Sequence, residues 1–372
     1  MAPVISHPHG DRKGPASYVV PTSLTFTSST ASPQSFVAST QFEGDIGAVS
    51  SDVSVATVNP ASSRAVKDLN DSFKSVTFTV TPVHSGNCTI TATDKKGDTA
   101  TVTVTVKPRP RIYVSDAISG TVTEYHQDGN QIITSGHFPN LSDAYGIAFD
   151  SVDGSLYMAN AFNQTITEYD QNGNQIIPSG PFSVPNQPTG IAFDSSNGDL
   201  YVTTVSGCCG PYSVTVYDQN GNQITPTGSF PNLNYPLGIA FNSVNSYLYV
   251  TNNHSITVYD QNGNQIAPSG TFPNISRPIS IAVDRSNGDL YVGNGNNTIT
   301  KYDQNGNQII TSGNFPNLGS PYGAAFDSPN NHLYVSNYSI NTITEYDRNG
   351  NQITPSGAFP NINGPQTLTI VP

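Results

Sequence analysis

Charged side chains are scarce in this chain, and basic ones are the scarcest. Only 11% of the 372 residues are Asp, Glu, Lys or Arg, and the 26 acidic residues outnumber the 14 basic ones, which gives a formal net charge of −12. Binding to a phosphate backbone needs a concentrated positive patch, so nucleic acid is excluded as the expected partner. Asn, Gln, Ser, Thr and Gly fill the polar positions instead, a composition common on exported proteins.

Cysteine is also rare. The three cysteines, Cys88, Cys208 and Cys209, cannot form a disulfide framework and lack zinc-type spacing. The fold must therefore be held by its core, and we expect no metal and no other cofactor. Adjacent cysteines could form a strained redox disulfide, but free or differently paired thiols at Cys208 and Cys209 are the favoured interpretation.

Long apolar runs are absent from the sequence. None approaches the roughly 18 residues that a membrane span needs, so no span is predicted. The opening segment, MAPVISHPHGDRKGP, has no apolar stretch of the signal-peptide type. The chain is therefore either cytosolic or the mature form of an exported protein, and the composition favours an extracellular or cell-surface protein.

The main positive feature is a repeat. The motif YDQNGNQI occurs six times with small changes, and its tyrosines are 42 to 48 residues apart. Around each copy the motifs keep a constant order: LYV or IYV, a variable loop, a TITEYD-like run, the NGN turn, QIxPSG, FPN and PxGIAFD. Each repeat therefore predicts four short strands, and this period is typical of propeller blades.

The four strands of a repeat differ in their predicted burial. LYV and GIAF are short apolar runs between turn residues, which is typical of strands buried on both faces. TITEYD alternates, which predicts a strand buried on one face only. Asn-Gly in DQNGN predicts a tight hairpin, because both residues tolerate positive φ. Pro178, Pro226, Pro268 and Pro355 follow QI in four copies, so the fourth strand is predicted at the outer rim, where proline is tolerated.

The phase of the repeat predicts how the array closes. It begins with the second-strand motif IYV at residues 112–114 and ends with a lone first-strand motif, TLTIV, at residues 367–371. If the last strand joins the first blade, six complete sets of four strands result, and no open end needs a capping repeat. The predicted fold class is all-β: a six-bladed β-propeller of four-stranded antiparallel blades closed by the C-terminal strand, preceded by a smaller β domain.

The repeat resembles a known family. PxGIAFDSSNGDLYV followed by NxxITEYDQNGNQI is similar to the NHL repeat of six-bladed propellers, and the likeness covers residues 112–372 in all six copies. The resemblance implies the propeller fold. It is weak on activity, because the family includes binding platforms and scaffolds, and some lyases and hydrolases have a related shape.

The N-terminal region has a different pattern. Residues 18–107 contain alternating runs such as SVTFTVTP and TATVTVTV, separated by polar turns, which predicts a β-sandwich. The order SSDVSVATV, SGNCTITATD, TVTVTV resembles bacterial immunoglobulin-like domains of the group 2 type, which commonly act as spacers on surface proteins. Residues 108–111 are predicted to be a short stiff linker and residues 1–17 a flexible arm.

Candidate ligand-contacting residues follow from the phase of the repeat. The loops between second and third strands and those between blades are predicted on one face, where their variable sequences favour ligand contact. Metal-dependent propeller enzymes need carboxylate, amide or imidazole groups in the central channel. The residues that lead into the inner strands are neither acidic nor basic, which argues against hydrolase or lactonase chemistry. They are Tyr145, Thr189, Leu237, Ile279, Tyr322 and Gln366.

Four further candidates lie in the variable loops. The longest loop, residues 203–213, contains Cys208, Cys209 and Tyr212. His254 is the one histidine that we consider as a base or ligand, and no companion carboxylate lies in its own or adjoining loops. The aspartates that follow the inner strands, and those of the YDQNGN motif, are predicted to cap their own turns rather than bind calcium, because the twelve-residue ligand pattern ending in Glu is missing.

Three functional hypotheses remain at this point. The favoured one is a non-enzymatic extracellular binding or scaffold protein whose variable propeller face contacts a protein, a glycan or a like subunit. The second is self-assembly into a filament or surface layer, in which SYVV at residues 17–20 adds a strand to a neighbouring copy. The third is a lyase or hydrolase that uses His254 with an unrecognised metal.

Overall fold

The structure is a computed structural model that describes most of the chain. The described residues are 17–26, 31–42, 44–64, 66–67, 73–83, 86–106, 110–116, 118–132, 138–176, 182–207, 210–268, 270–311, 313–353 and 359–371. The predictions for residues 1–16, for most of the linker and for Cys208 and Cys209 lie outside them. The chain divides into two compact units, within Met1–Pro110 and Arg111–Val371. No helix in the described ranges is long and apolar enough to cross a membrane.

In the first unit, the residues that the structure describes form two five-stranded sheets. Its strands are β1 (Ser17–Val20), β2 (Ser23–Phe26), β3 (Gln34–Thr40), β4 (Asp45–Ser50), β5 (Ala56–Asn59), β6 (Ser62–Arg64), β7 (Val66–Lys67), β8 (Lys74–Pro82), β9 (Gly86–Thr93) and β10 (Thr99–Val106). One sheet has the order β1-β3-β8-β5, with β7 also on β8, and the other has the order β2-β10-β9-β4-β6. Alternating residues of both sheets bury one apolar core, which includes Phe36, Phe78 and Ile90.

The segment SYVV is part of this unit's own sheet. Ser17–Val20 pairs antiparallel with β3 of the same chain, with Ser17 opposite Thr40 and Val20 opposite Val37. The hydroxyl of Ser17 also donates a hydrogen bond of 3.0 Å to the carboxylate of Asp94. The strand that the filament hypothesis assigned to a neighbouring copy is therefore paired within the chain.

The described residues of the second unit form six four-stranded antiparallel sheets, here called sheets I to VI. Sheet I contains β11 (Arg111–Asp116), β12 (Thr121–His126), β13 (Gln131–Ile132) and β34 (Pro365–Val371), and sheet II contains β14 (Ala144–Phe149), β15 (Leu156–Asn160), β16 (Thr165–Tyr169) and β17 (Phe182–Ser183). Sheet III contains β18 (Gln187–Asp194), β19 (Asp199–Val205), β20 (Tyr212–Tyr217) and β21 (Gln223–Ile224), and sheet IV contains β22 (Ile239–Asn242), β23 (Tyr247–Thr251), β24 (Ile256–Tyr259) and β25 (Gln265–Ile266). Sheet V contains β26 (Pro278–Val283), β27 (Leu290–Asn294), β28 (Thr298–Tyr302) and β29 (Gln308–Ile309), and sheet VI contains β30 (Pro321–Asp327), β31 (His332–Asn337), β32 (Thr342–Asp347) and β33 (Gln352–Ile353).

The six sheets form a closed ring. The first strands of successive sheets contact one another from β14 to β30, and β34 contacts both β30 and β14. β34 pairs antiparallel with β11, with Ile370 opposite Ile112 and Leu368 opposite Val114. The predicted pairing of the last strand with the first sheet is therefore confirmed.

The hydrophobic core of the ring lies between adjacent sheets rather than inside any one of them. Between sheets II and III, for example, Tyr157 and Ile166 pack with Leu200 and Val202. Since every sheet has a neighbour on each face, Ile166, Thr167, Glu168 and Tyr169 are all buried. The prediction that the TITEYD strand is buried on one face only was wrong. An alternating pattern shows which face of the strand is polar, but it does not show whether a neighbouring sheet covers that face.

The outermost strand is short in every sheet. In five sheets it is the dipeptide QI, as predicted. In sheet II it is Phe182–Ser183, which pairs with Thr165 and Ile166. The QI segment of that repeat instead makes a single bridge between Gln175 and Tyr169. The prediction of a QI outer strand therefore fails for sheet II.

The glycine of GIAF allows the inner strands to approach closely. A Cβ added at Gly190 would lie 2.4 Å from the carbonyl oxygen of Leu237 in the next sheet, which is closer than real Cβ atoms come. At Gly238 the corresponding distance to the carbonyl oxygen of Ile279 would be 2.9 Å. These glycines are therefore needed for packing around the axis, and they set the width of the channel.

The YD and FPN motifs together hold the segments that lead into the inner strands. Tyr302 is fully buried, and its hydroxyl donates a hydrogen bond of 2.6 Å to the carbonyl of Pro273. Phe272 packs edge-on against Tyr302 with ring centroids 5.3 Å apart. The same contacts recur at Tyr259 with Pro231 and Phe230. Each pair of contacts holds the beginning of the chain segment that leads to the next inner strand and its channel-lining residue.

Candidate ligand-binding site at one end of the ring

One cavity lies on the axis of the ring, where the inner strands begin. Its volume is about 70 Å³. All six residues predicted to lead into the inner strands line it: Tyr145, Thr189, Leu237, Ile279, Tyr322 and Gln366. The structure therefore brings these residues together from six different repeats. That they bind a ligand stays a prediction.

A β-bulge aims several of these side chains at the axis. In sheet II, Ala144 pairs with Asn160 while Gly146 pairs with Ala159, so Tyr145 is an extra residue with no partner of its own. The same shift makes extra residues of Thr189, Ile279 and Tyr322. A bulge disrupts the ladder locally and redirects a side chain, which is why bulges are common next to functional sites.

The wall of the cavity has two chemically different halves. Tyr322, Gln366 and Tyr145 come from the consecutive sheets VI, I and II and form a polar and aromatic half. In the opposite half, from sheets III, IV and V, the equivalent residues are Thr189, Leu237 and Ile279. The hydroxyl of Thr189 already donates a hydrogen bond of 2.8 Å to the carbonyl of Pro236, so this half is mainly apolar toward the cavity.

Gln366 has an unused hydrogen-bonding atom. It is only 4% exposed, and its Nε2 donates a long hydrogen bond of 3.4 Å to Oδ1 of Asp143. Its Oε1 is buried and accepts no hydrogen bond from the described residues. A buried amide oxygen without a donor destabilises the folded state.

Asp143 is a site residue that the sequence analysis missed. It lies two residues before Tyr145, at a position where the other repeats carry Gln187, Tyr235, Arg277 and other residues. Burial raises the pKa of Asp143, and the hydrogen bond from Gln366 opposes that rise. Its signal in the sequence is SDAYG, in which Ala144 stands where the other five repeats carry proline.

Tyrosines surround the mouth of the cavity. Tyr338, in a short 3-10 helix (Tyr338–Ile340) between β31 and β32, lies with its ring 5.0 Å from that of Tyr322. Tyr212 packs edge-on against Tyr235 at 6.0 Å. Tyr235 and Tyr338 are 37% and 36% exposed, so aromatic surface is accessible there. Burial raises the pKa of Tyr145, and the nearby carboxylate of Asp143 raises it further.

The remaining sequence candidates lie elsewhere. His254 is exposed in the loop between β23 and β24 and is not part of the cavity wall. Tyr212 belongs to the aromatic rim described above. Among the residues with described positions, no group of three His, Cys, Asp or Glu side chains is arranged to hold a metal ion.

Buried asparagines hold the variable loops in place. Asn337 is fully buried and donates through Nδ2 to the hydroxyl of Thr344 at 3.0 Å, while its Oδ1 accepts from the backbone N–H of Gly319 at 3.0 Å. The same clip occurs in three more sheets, at Asn160, Asn252 and Asn294. Sheet III has Thr204 there instead, bonded to Ser213, so its long loop is held differently.

The opposite end of the ring is built from repeated turns. Oδ1 of Asp150 accepts the backbone N–H of Val152 at 2.6 Å, which confirms the prediction that these aspartates cap their own turns. Its Oδ2 accepts from Nε2 of Gln219 in the next sheet at 2.8 Å. The hairpin aspartates also cap their turns: Asp218 accepts the N–H of Asn220 and of Asn222. These carboxylates are occupied by protein donors.

Comparisons with known proteins give information on the fold of the chain. No family model matches the chain, and no curated protein matches it. A chain from the crystal structure of a nidogen/laminin complex is similar at 16% identity and a TM-score of 0.55, over 70% of this chain and 98% of that one. A protein of unknown function from Bacteroides caccae is similar at 14% identity and a TM-score of 0.52, over 71% and 99%.

A gluconolactonase from Xanthomonas campestris is also similar, at 18% identity and a TM-score of 0.45, over 62% of this chain and 83% of that one. That degree of similarity supports no conclusion about activity. At such identities the first two likenesses show the fold alone. With the closed ring of four-stranded sheets, they make the Arg111–Val371 unit a β-propeller.

Proposed function

We propose that this chain is a non-enzymatic extracellular or cell-surface binding protein, and that its ligand contacts the aromatic end of the propeller. In the same proposal the ring is a six-bladed propeller of NHL type, and the N-terminal unit is an immunoglobulin-like spacer. The observation that carries the proposal is the cavity itself, in which bulged residues from the repeats form a wall without a charged side chain.

The chemistry of the wall favours binding over catalysis. General acid–base or metal-assisted hydrolysis needs titratable or ligating groups that converge on the reacting atoms. At this end Asp143 contributes a carboxyl group, but its described partner is the amide of Gln366 rather than a histidine or a second acid. Aromatic and aliphatic walls with a few placed polar groups are typical of binding pockets.

The surroundings of the cavity favour a ligand larger than the cavity. Tyr235, Tyr338 and Ile340 are exposed at this end, beside loops that vary between repeats. Exposed aromatic groups are enriched where proteins recognise partners, since they offer large contact areas at a low cost in conformational entropy. The opposite end instead repeats nearly the same turn in each sheet.

The test is a binding screen with the full chain. Thermal-shift and titration calorimetry against panels of oligosaccharides and small soluble ligands are expected to give ligands that are recovered unchanged by NMR. Tyr322→Ala and Tyr145→Ala should each weaken binding, while Val244→Ala, an exposed position at the opposite end, serves as the matched control. Binding that survives both tyrosine variants, or a ligand that is converted to product, would overturn the proposal.

A further inference from the structure

We propose that the partner of the aromatic end is a second copy of this chain, bound end to end across a twofold axis. This inference rests on the proposed binding function and names the partner. Three features of the described loops carry it: exposed apolar side chains, a scarcity of charge, and one acid and one base placed on opposite sides of the ring.

Exposed apolar side chains form a cluster where sheets VI and I meet. Ile118, in the loop between β11 and β12, is 62% exposed, and Ile340 and Tyr338 are 47% and 36% exposed. Ile118 and Tyr338 are neighbours, because a Cβ added at Gly364 would lie 2.9 Å from the first and 3.3 Å from the second. Exposed aliphatic side chains are stabilised when an apolar partner removes them from water, which favours a protein over a glycan.

The loops of the aromatic end carry little charge. Of Asp, Glu, Lys and Arg, the described loops at this end contain Asp143 and Arg277, whereas the aspartates of the repeated turns lie at the opposite end. Because the chain has a net charge of −12, a second copy meets less repulsion at the aromatic end than at the opposite end.

Asp143 and Arg277 occupy the same position of their repeats. Each lies two residues before a residue that lines the channel, and their backbones are alike, with φ of 53° and 51°. Their sheets, II and V, are three apart in the ring of six, so the two charges lie on opposite sides of the axis. None of the ion pairs among the described residues involves either side chain. Both charges are therefore available to a partner.

A twofold axis across the end of the ring brings these charges together. When it passes between sheets VI and I on one side and between sheets III and IV on the other, sheet II of each copy faces sheet V of the other. Asp143 then meets Arg277 of the second copy, twice by symmetry. The same axis brings the apolar cluster onto its counterpart, and it does the same for Tyr212 and Tyr235, which pack together where sheets III and IV meet.

Phe162 extends the contact surface beside Asp143. It is 75% exposed, and its loop is held at Asp143 by a hydrogen bond of 3.0 Å from the backbone N–H of Ala161 to the Asp143 carbonyl. A guanidinium that pairs with the Asp143 carboxylate can also stack on the Phe162 ring, as arginines do on aromatic faces. This surface therefore favours an arginine, and each copy supplies one at Arg277.

The experiment combines sedimentation velocity of the full chain with charge reversal. We expect the wild type to reach twice the mass of one chain as its concentration rises. Asp143→Arg opposes two arginines and Arg277→Asp opposes two aspartates, so each variant alone should dimerise at least about tenfold more weakly. An equimolar mixture of the two variants should recover the dimer, because both contacts of the mixed pair join opposite charges.

The chain offers matched controls. Each reversal installs a residue that the equivalent position of another repeat already carries at a similar φ, so both variants should fold, as circular dichroism and thermal melting will check. Val244→Arg, at the opposite end, should leave the dimer unchanged. Ile118→Asp keeps the test valid if a reversal does not fold, since carboxylates facing each other in the apolar cluster should also weaken the dimer at least about tenfold.

The outcomes separate this inference from the proposed function. A chain that keeps the mass of one copy at every concentration, a dimer that the reversals do not weaken, or a mixture that stays monomeric would overturn the second copy as partner. If a ligand of the binding screen is then lost in Tyr322→Ala, the binding site at the aromatic end stands with another partner. If the chain neither dimerises nor binds a ligand that depends on Tyr145 or Tyr322, both proposals fail.

Discussion

The guanidinium of Arg348 in sheet VI lies 2.6 Å from the carboxylate of Asp284 in sheet V. Asp284 is fully buried, whereas the Arg348 side chain is partly exposed. In the equivalent contact between sheets II and III, the residue in the position of Arg348 is Gln219, which donates to Asp150. The latch between neighbouring sheets is thus built either with an amide or with an ion pair.

Replacement of Arg348 should depend on what replaces it. Arg348→Ala leaves the carboxylate of Asp284 buried without its partner and should lower the free energy of unfolding by about 1–3 kcal/mol, since the arginine is partly solvated. Arg348→Gln restores the donor that other repeats use and should change stability by less than about 1 kcal/mol. Urea unfolding measures both. Equal losses for the two variants would contradict the latch.

Glu168 should be a destabilising residue at neutral pH. It occupies the position of Glu124 and Glu345 in other sheets, but Ser155 stands where those sheets carry Arg111 and His332. Its Oε2 has no described hydrogen-bond partner, and burial raises its pKa. Because the ionised form is penalised in the folded state, stability is lost as pH rises through the folded pKa.

Glu168→Gln should therefore stabilise the propeller by about 1 kcal/mol at neutral pH, as measured by chemical denaturation. The matched control is Glu345→Gln, which removes the carboxylate 2.7 Å from His332 and should destabilise. Ser155→Arg should supply the missing cation and stabilise the wild type but not Glu168→Gln. If Glu168→Gln and Glu345→Gln shift stability in the same direction, the interpretation is wrong.

His332 should make stability depend on pH near neutrality. Its Nδ1 lies 2.7 Å from Oε1 of Glu345, and this hydrogen bond raises the pKa of His332 against the opposing effect of burial. A raised histidine pKa contributes stability that is fully present below the unfolded value of about 6.5 and is lost as pH rises through the folded value. The free energy of unfolding should therefore fall as the pH rises above about 6.5.

The variant His332→Arg tests whether His332 causes this pH dependence of stability. It keeps a cation beside Glu345, as Arg111 does beside Glu124, and should remove most of the pH dependence while the protein remains folded. Denaturant midpoints measured across the same pH range decide the matter. An unchanged slope in His332→Arg would assign the pH dependence to another group.

Removal of the last strand should disrupt the ring. A chain that ends at Gly364 lacks β34, which pairs with β11 and contacts both β30 and β14. The buried side chains of Leu368 and Val371 are lost with it, and the inner edge of β11 is left unpaired. We expect a loss of at least about 5 kcal/mol.

Limited proteolysis and urea unfolding of the truncated chain provide the measurement. A chain that ends at Val371 is the matched control and should behave like the full chain. Cooperative unfolding of the shorter chain at the same urea concentration as the full chain would show that β34 does not close the ring.

The strand pattern of the propeller could be predicted because each signal is local. LYV, TITEYD, Asn-Gly and GIAF each act within a few residues, and the unequal ends of the array imply that β34 joins β11. The burial of β16 could not be predicted in the same way. Glu168 and Thr167 are polar in the sequence, and only the neighbouring sheet covers them.

The sequence likewise predicted some residues of the candidate site and missed another. Repeat position alone identified Tyr145, Gln366 and their equivalents as a set. Asp143 was missed because its partner, Gln366, is 223 residues away in the chain. The two meet only because β34 closes the ring beside β14.

By itself, the sequence determined the number of repeats, the strands of each except the outer strand of sheet II, and the pairing of the last strand with the first sheet, since these depend on short-range periodicity and on turn residues. The tertiary structure alone decided that the bulges turn Tyr145, Thr189, Ile279 and Tyr322 toward the axis, and that Oε1 of Gln366 is buried without a described donor. The physical reason is that the wall of an axial cavity is assembled from residues about one repeat apart. Their proximity exists only once the ring has closed.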